Sequence, residues 1–192
     1  MLLTRLAFLA VASAYKLPAP ELLSRRAAVT TGLAATFTAL PAFALEPCPK
    51  GSRNCFSTAS TDATKVATWT WPAASSRDAA LKELSAVIDG YPQAGQDGVD
   101  LGGWSFADDK IASSGYARLE FKSGLGNMAK FFNGNKPFVD DLEFSVEPNG
   151  VCIRSSSRVG DSDFGVNAKR VNWIASRLRD KGWTAPGVTS NS

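Results

Sequence analysis

The chain has 192 residues, 21 Lys and Arg against 18 Asp and Glu, a net charge of +3 and no histidine. The missing imidazole excludes Ser-His-Asp and Cys-His nucleophile pairs, histidine metal centres and the ordinary proton shuttle near neutral pH. Residues 1–44 hold Arg5, Lys16, Arg25 and Arg26 against Glu21 alone, leaving 17 basic and 17 acidic residues in the remainder, so the basic balance belongs to the leading segment. With no basic stripe, finger spacing or aromatic-basic repeat, no nucleic-acid partner is expected.

The leading segment reads as two addresses in series. MLLTRLAFLAVASA, 1–14, has one arginine, an apolar run and a small-residue exit, the pattern of a secretory signal peptide. Residues 15–44 place Arg25 and Arg26 before a weakly apolar run, then Pro41 and Ala42-Phe43-Ala44. This reads as a plastid transit stretch followed by a twin-arginine thylakoid signal. Tyr15 after Ala-Ser-Ala resembles the aromatic that follows the first cleavage in preproteins of complex plastids. The expected destination is the thylakoid lumen of a complex plastid, with a periplasmic or secreted protein as the alternative. No transmembrane helix is expected to be retained, because Ala and Thr dilute the run and Pro41 breaks it beside the exit.

The mature part, 45–192, suits one domain. Its ends, 45–63 and 184–192, are rich in Ser, Thr, Pro and Gly and are expected to run as arms. The first contains Cys48 and Cys55, a C-x6-C pair whose candidate role is a disulfide. The spacing is not one for zinc, and the alternative of a redox relay would usually carry C-x-x-C. A weak strand is expected over 66–71. A helix then starts at Ser75 or Ser76, with Ala80, Leu84, Val87, Ile88 and Tyr91 on one face and Gly90 with Pro92 ending it.

From there the period is two. A weak strand covers 99–107, followed by GYARLEF, in which Ala117, Leu119 and Phe121 face one way. In FVDDLEFSV, Phe138, Leu142, Phe144 and Val146 share a face with Asp140 among them. Pro148-Asn149-Gly150 makes a hairpin turn into VCIRSSSR, where Val151 and Ile153 oppose Cys152, Arg154, Ser156 and Arg158. Cys152 is expected to be a small buried residue. A last helix starts near Asn167, with Val171, Ile174, Ala175 and Leu178 on its stripe, Lys169, Arg170, Arg177 and Arg179 mostly off it, and Gly182 closing it. The sum is an α+β fold, an antiparallel sheet with two main helices packed on one face, in a single domain.

The stretch RSSSRVGDSDFGVNAKR, 154–170, concentrates the polar chemistry. Asp140 on an apolar face needs a cation, since an unpaired buried carboxylate costs several kcal/mol. Arg154 and Arg158 on the next strand are the expected partners and Arg118 their rival. Asp141 and Glu143 point to the other face. Asp161, Ser162 or Asp163 can bind backbone N–H groups, and Asn167 can cap the helix. This network, with Arg170, is expected to lock strand to turn to helix, with a binding surface as the second reading. Adjacent strand positions point Asp140 and Asp141 apart, which is wrong for a shared acid-base pair. No catalytic residue, metal ligand or cofactor is therefore assigned.

Five of these segments carry a resemblance. Cys48-Pro49 with Asn54-Cys55, then Tyr116, FVDDLEF over 138–144 and the 154–170 stretch are similar to the domain-of-unknown-function 1499 family. Its members are small exported or plastid proteins with a pattern near CP-x-x-PNC, F-x-DD-x-EF and RSASR-x-G-x-SD-x-GVN-x-R. The resemblance covers nearly all of 45–182 and implies no catalytic residues. Arg53 stands where the family usually has proline. The 124–137 segment is longer than the usual link, and its Met128, Phe131 and Phe132 form a candidate contact loop.

The five tryptophans are expected to pack in the core and its rim, or to wall a ligand pocket. The functional expectation is a non-enzymatic accessory or assembly protein whose partner is the thylakoid membrane or a photosynthetic complex subunit. The alternatives are a carrier or sensor for a small hydrophobic ligand, lipid or pigment, and then an enzyme of unknown type.

Overall fold

A computed structural model describes residues 44–124, 131 and 133–190, all within one unit, Thr38–Ser192. The two leading addresses, Met128 and Phe132 lie outside the described residues. The elements are β1 (Cys55–Ser57), α1 (Arg77–Asp89), β2 (Trp104–Lys110), the single turn α2 (Ile111–Ser114), β3 (Tyr116–Lys122), β4 (Val139–Glu147), β5 (Gly150–Ser157) and α3 (Val166–Arg179). The strands form one antiparallel sheet in the order β1-β5-β4-β3-β2. This is the expected single α+β domain.

Register sorts the side chains onto two faces. Leu119, Leu142 and Ser155 oppose one another across β3, β4 and β5, as do Ala117, Phe144 and Ile153. These point toward the helices. Arg118, Glu143 and Arg154 oppose one another on the outer face. An antiparallel sheet tolerates one wet face because side chains alternate across it. The hairpin joining β4 to β5 needs Gly150, whose φ is +148°. A Cβ there would overlap the Trp69 carbonyl, which accepts from Val151 N–H at 2.7 Å.

Both main helices bury an apolar stripe. Ser76 caps α1 by accepting from Ala79 N–H at 3.2 Å, and Ala80, Leu81, Leu84, Val87 and Ile88 are buried. On α3, Val171, Ile174, Ala175 and Leu178 are buried. Between the helices and the sheet lie Phe56, Trp69, Phe121, Phe144 and Leu119. Burying a side chain of this size contributes roughly 1.5–3 kcal/mol. Trp69 and Trp183 are core residues, and Trp71, Trp104 and Trp173 pack against the core from its rim.

Four expectations require correction. The segment 45–63 is no arm. It supplies β1, an edge strand too short for periodicity to show, and Cys48 and Cys55 are joined by a disulfide with Cα atoms 5.7 Å apart. The other end is also anchored: Trp69 Nε1–H donates to the Pro186 carbonyl at 3.0 Å, and Val188 N–H to Asn172 at 2.7 Å. The 66–71 strand reduces to two isolated bridges, Trp69 to Val151 and Thr70 to Thr184. Residues 99–103 form a turn before β2, not part of it.

Candidate functional site

The 154–170 stretch does not build one network. The sheet divides it in two.

On the outer face, β5 and the turn after it present Arg154 and Arg158 to β4. Arg158 grips Asp141 with two hydrogen bonds, 2.7 Å and 2.8 Å, and also pairs with Glu120. Those bonds to Asp141, then to Glu120, hold the Arg158 guanidinium above its ordinary range. Arg118 stands 3.5 Å from Asp141. Arg154 donates to Glu143 at 3.0 Å and to Ser156 Oγ at 2.8 Å, and Tyr116 O–H donates to Glu143 at 2.9 Å. Burial first, and then Glu143, push the Tyr116 hydroxyl well above its usual pKa. Cys152 shares this face and is half-buried beside Glu147, correcting its assignment to the core. An odd-numbered neighbour of Val151 and Ile153 would face inward; Cys152 has the other parity.

On the helix face Asp140 meets neither Arg154, Arg158 nor Arg118. Its partner is Arg170, 2.6 Å away and projecting from the first turns of α3. Arg170 also pairs twice with Asp100, once at 3.2 Å through Nε. Its guanidinium lies 4.5 Å over the Phe121 ring. The side chains of Arg170 and Asp100 are 1% and 0% exposed, that of Asp140 13%. Burial pulls the Arg170 pKa down, but the Asp100 hydrogen bonds and the charges of Asp140 and Asp100 outweigh it, and the pKa lies above its ordinary value. Tyr91 O–H reaches Asp100 at 3.4 Å, and burial pushes its hydroxyl up to about 12.

Sequence reasoning placed Arg170 off the helix stripe and missed Asp100. Arg170 is in fact one turn before Ile174 and one turn after Asn167, so the buried stripe simply continues as polar residues. Asp100 carried one signal, the glycines around it. Gly95 has φ +68°, and a Cβ there would overlap the Asp100 carboxylate. The turn must lack a side chain at that point to bring the acid inside.

Asn167 does not cap α3. Asp163 does, accepting from Gly165 N–H at 3.0 Å and Asn167 N–H at 2.7 Å. The Asn167 amide instead bridges three segments. Its oxygen accepts from Ser155 Oγ and Arg170, and its nitrogen donates to the Asn54 carbonyl and to Ser157 Oγ. Asn54, next to the disulfide, donates to the Gly160 carbonyl at 2.6 Å. Asp161 is exposed at the tip of the same turn.

These contacts shape a cleft of about 520 Å³ at the end of the sheet, between the 97–99 turn and the 157–166 segment. Val99, Phe138, Val159, Phe164 and Val166 line it, with Asp140 and Arg170 among its walls. Phe164 is 83% exposed and Val159 45%. Leu101, also exposed, lies against Gly98 and Gly124 of the cleft wall. Phe131 is exposed as well.

Fold and site define a small disulfide-clipped α+β domain, helices on one face of an antiparallel sheet, with an open cleft over a buried ion triad. The family model "Protein of unknown function (DUF1499)" matches residues 44–178, and the chain belongs to that family. No curated protein and no solved structure matches the chain.

Proposed function

We propose that the protein is a non-enzymatic accessory or assembly protein of the thylakoid lumen that engages a component of the photosynthetic membrane through its cleft end. The observation that carries this reading is the pair Val159 and Phe164, large apolar side chains left in water at one opening, with exposed Leu101 against the glycines of its wall. The space between sheet and helices is meanwhile occupied by side chains. The arginines of the 154–170 stretch are paired with carboxylates of neighbouring segments: Arg154 with Glu143, Arg158 with Asp141, Arg170 with Asp100 and Asp140. Such pairs hold segments together and supply neither a base nor a nucleophile. The two addresses read in the first 44 residues support the compartment, and the Cys48–Cys55 bridge suits an oxidising one. Among the described residues no helix is long and apolar enough to cross a membrane.

The test is fractionation of a complex-plastid alga expressing the tagged full chain. The expected result is protease-protected protein inside thylakoids that co-migrates with one photosynthetic complex on a native gel. A stromal or secreted protein, or one that migrates alone, sinks the reading. A second reading, a carrier for a small ligand, is favoured by the cleft itself, whose volume falls in the range of small-molecule sites.

A further inference from the structure

We propose that the cleft binds a small amphipathic cation, with an ammonium head at Asp140 and an apolar body along Phe138, Val159 and Phe164. This deepens the carrier reading and is independent of the compartment.

Three observations lead there. The first is charge. The triad holds two carboxylates and one guanidinium, so it carries one uncompensated negative charge in a low-dielectric setting. Of its members, Asp140 is the one with appreciable exposure, and it lines the cleft. One Asp140 oxygen, Oδ2, is taken by Arg170; no hydrogen bond engages Oδ1 among the described residues. The guanidinium is already committed to Asp100, Asp140 and Asn167. The charged floor therefore offers an acceptor and a negative field, and selects a cationic donor over an anion.

The second is the wall. Phe138 and Phe164 bring two aromatic rings to the same opening as the carboxylate. An aromatic face attracts a cation within about 6 Å of its centroid, and ammonium groups are recognised by such rings together with a carboxylate. The aliphatic Val99, Val159 and Val166 complete an apolar lining, as in sites that take an apolar body and orient it by a few polar groups.

The third is strain at Phe164. Its φ is +54°, in the left-handed region, and Gly165 follows at +78°. A bulky side chain held there is strained and destabilises the backbone. At 83% exposure the ring recovers little of that by burial. Asp163 fixes the turn by accepting from Gly165 and Asn167, and Ser162 Oγ accepts from Phe164 N–H at 3.3 Å. The fold holds an apolar ring over the opening at a cost to its own stability, which points to use of the ring by something outside the chain.

The experiment titrates the purified full chain with three probes of one shape, phenethylammonium, 2-phenylethanol and phenylacetate, at fixed ionic strength, read by ligand-observed NMR. Saturable binding of phenethylammonium is expected at least tenfold tighter than the alcohol, with phenylacetate weakest. Phe164→Ala should weaken phenethylammonium at least fivefold while leaving the melting curve in place. Asp140→Asn should bring the ammonium and alcohol affinities within about twofold of each other. Should Asp140→Asn melt early, Phe164→Ala carries the test alone. Equal affinity for the three probes, no saturation by phenethylammonium at millimolar concentration, or an unaltered Phe164→Ala would overturn the proposal. None of these outcomes bears on co-migration with a photosynthetic complex, so the two readings fail separately.

Discussion

On the helix side of the sheet one buried guanidinium serves two carboxylates, Asp100 fully buried and Asp140 at the edge of the cleft; on the outer side three arginines share Glu120, Asp141 and Glu143 in partial contact with solvent. The residue types are the same. The outer ladder is balanced, its charges screened, and its geometry set by cross-strand register and the turn that follows β5. The inner triad is unbalanced and draws its members from three segments far apart in the chain: the turn before β2, strand β4 and helix α3. It is the inner site that opens onto the cleft. An imbalance of charge is tolerable in water without any consequence for binding, but in the wall of a partly apolar cleft it would favour one sign of ligand.

The comparison is broken most severely at Arg170. Arg170→Met leaves Asp100 and Asp140 without a cation, and a buried pair broken on one side costs about 3–5 kcal/mol. A urea melt should show a loss of that order, or a chain that no longer folds. Asp140→Ala should cost far less, about 1–2 kcal/mol, because Asp100 still neutralises Arg170 and Asp140 is the exposed member. Equal losses in the two variants would mean that the triad is not organised around Arg170.

The disulfide comes next. It closes a short loop next to Asn54, which is tied both to the Gly160 turn and to Asn167. Loop-closure entropy for so short a ring contributes about 2–3 kcal/mol. Reduction, or Cys48→Ser with Cys55→Ser, should lower the urea midpoint accordingly. It should also speed hydrogen exchange in the 157–163 turn more than in β3 and β4, since only the former is held through Asn54. Uniform acceleration would show that the bridge acts on the unfolded chain alone.

What sequence showed and what it hid follows the same division. Alternation placed Leu119, Leu142, Phe144 and Ile153 inward and Arg118, Glu143 and Arg154 outward, because period two is a local property of the strand. It also put Asp140 inside. It could not name the partner. That required knowing where α3 lies over the sheet, a tertiary fact, and the search stayed with arginines on the neighbouring strand. Asn167 and Arg170 obey the i, i+3, i+4 spacing that identified the rest of the stripe, but polarity counted against them. β1 escaped for a different reason: three residues are too few for any period, and only pairing to β5 makes them a strand.

The outer ladder gives a smaller effect. Arg158→Ala removes the two-bond partner of Asp141, which keeps Arg118 at 3.5 Å, and the partner of Glu120, yet the Arg158 side chain is 40% exposed. After discounting for solvent screening the loss should be about 0.5–1 kcal/mol, shrinking further at high salt. A salt-independent loss as large as that of Arg170→Met would place Arg158 in a buried site and erase the contrast between the faces.

The last effect appears only at alkaline pH and touches both faces without changing a charge at neutrality. Tyr91 hydrogen-bonds Asp100 within the triad's surroundings, and burial raises its hydroxyl from 10 to about 12. A group whose folded pKa is raised contributes stability that is complete below the unfolded value and is lost as pH climbs through the folded one. Stability should therefore fall with a steeper slope between pH 10 and 12. Tyr116 on the outer face is raised as well, so both tyrosines contribute to that slope. Tyr91→Phe removes one contribution and Tyr116→Phe the other. Melts at pH 9 and pH 11 should lose less stability between them in each variant than in the parent. A parent whose stability is flat across that interval would show that neither hydroxyl is held away from water in solution.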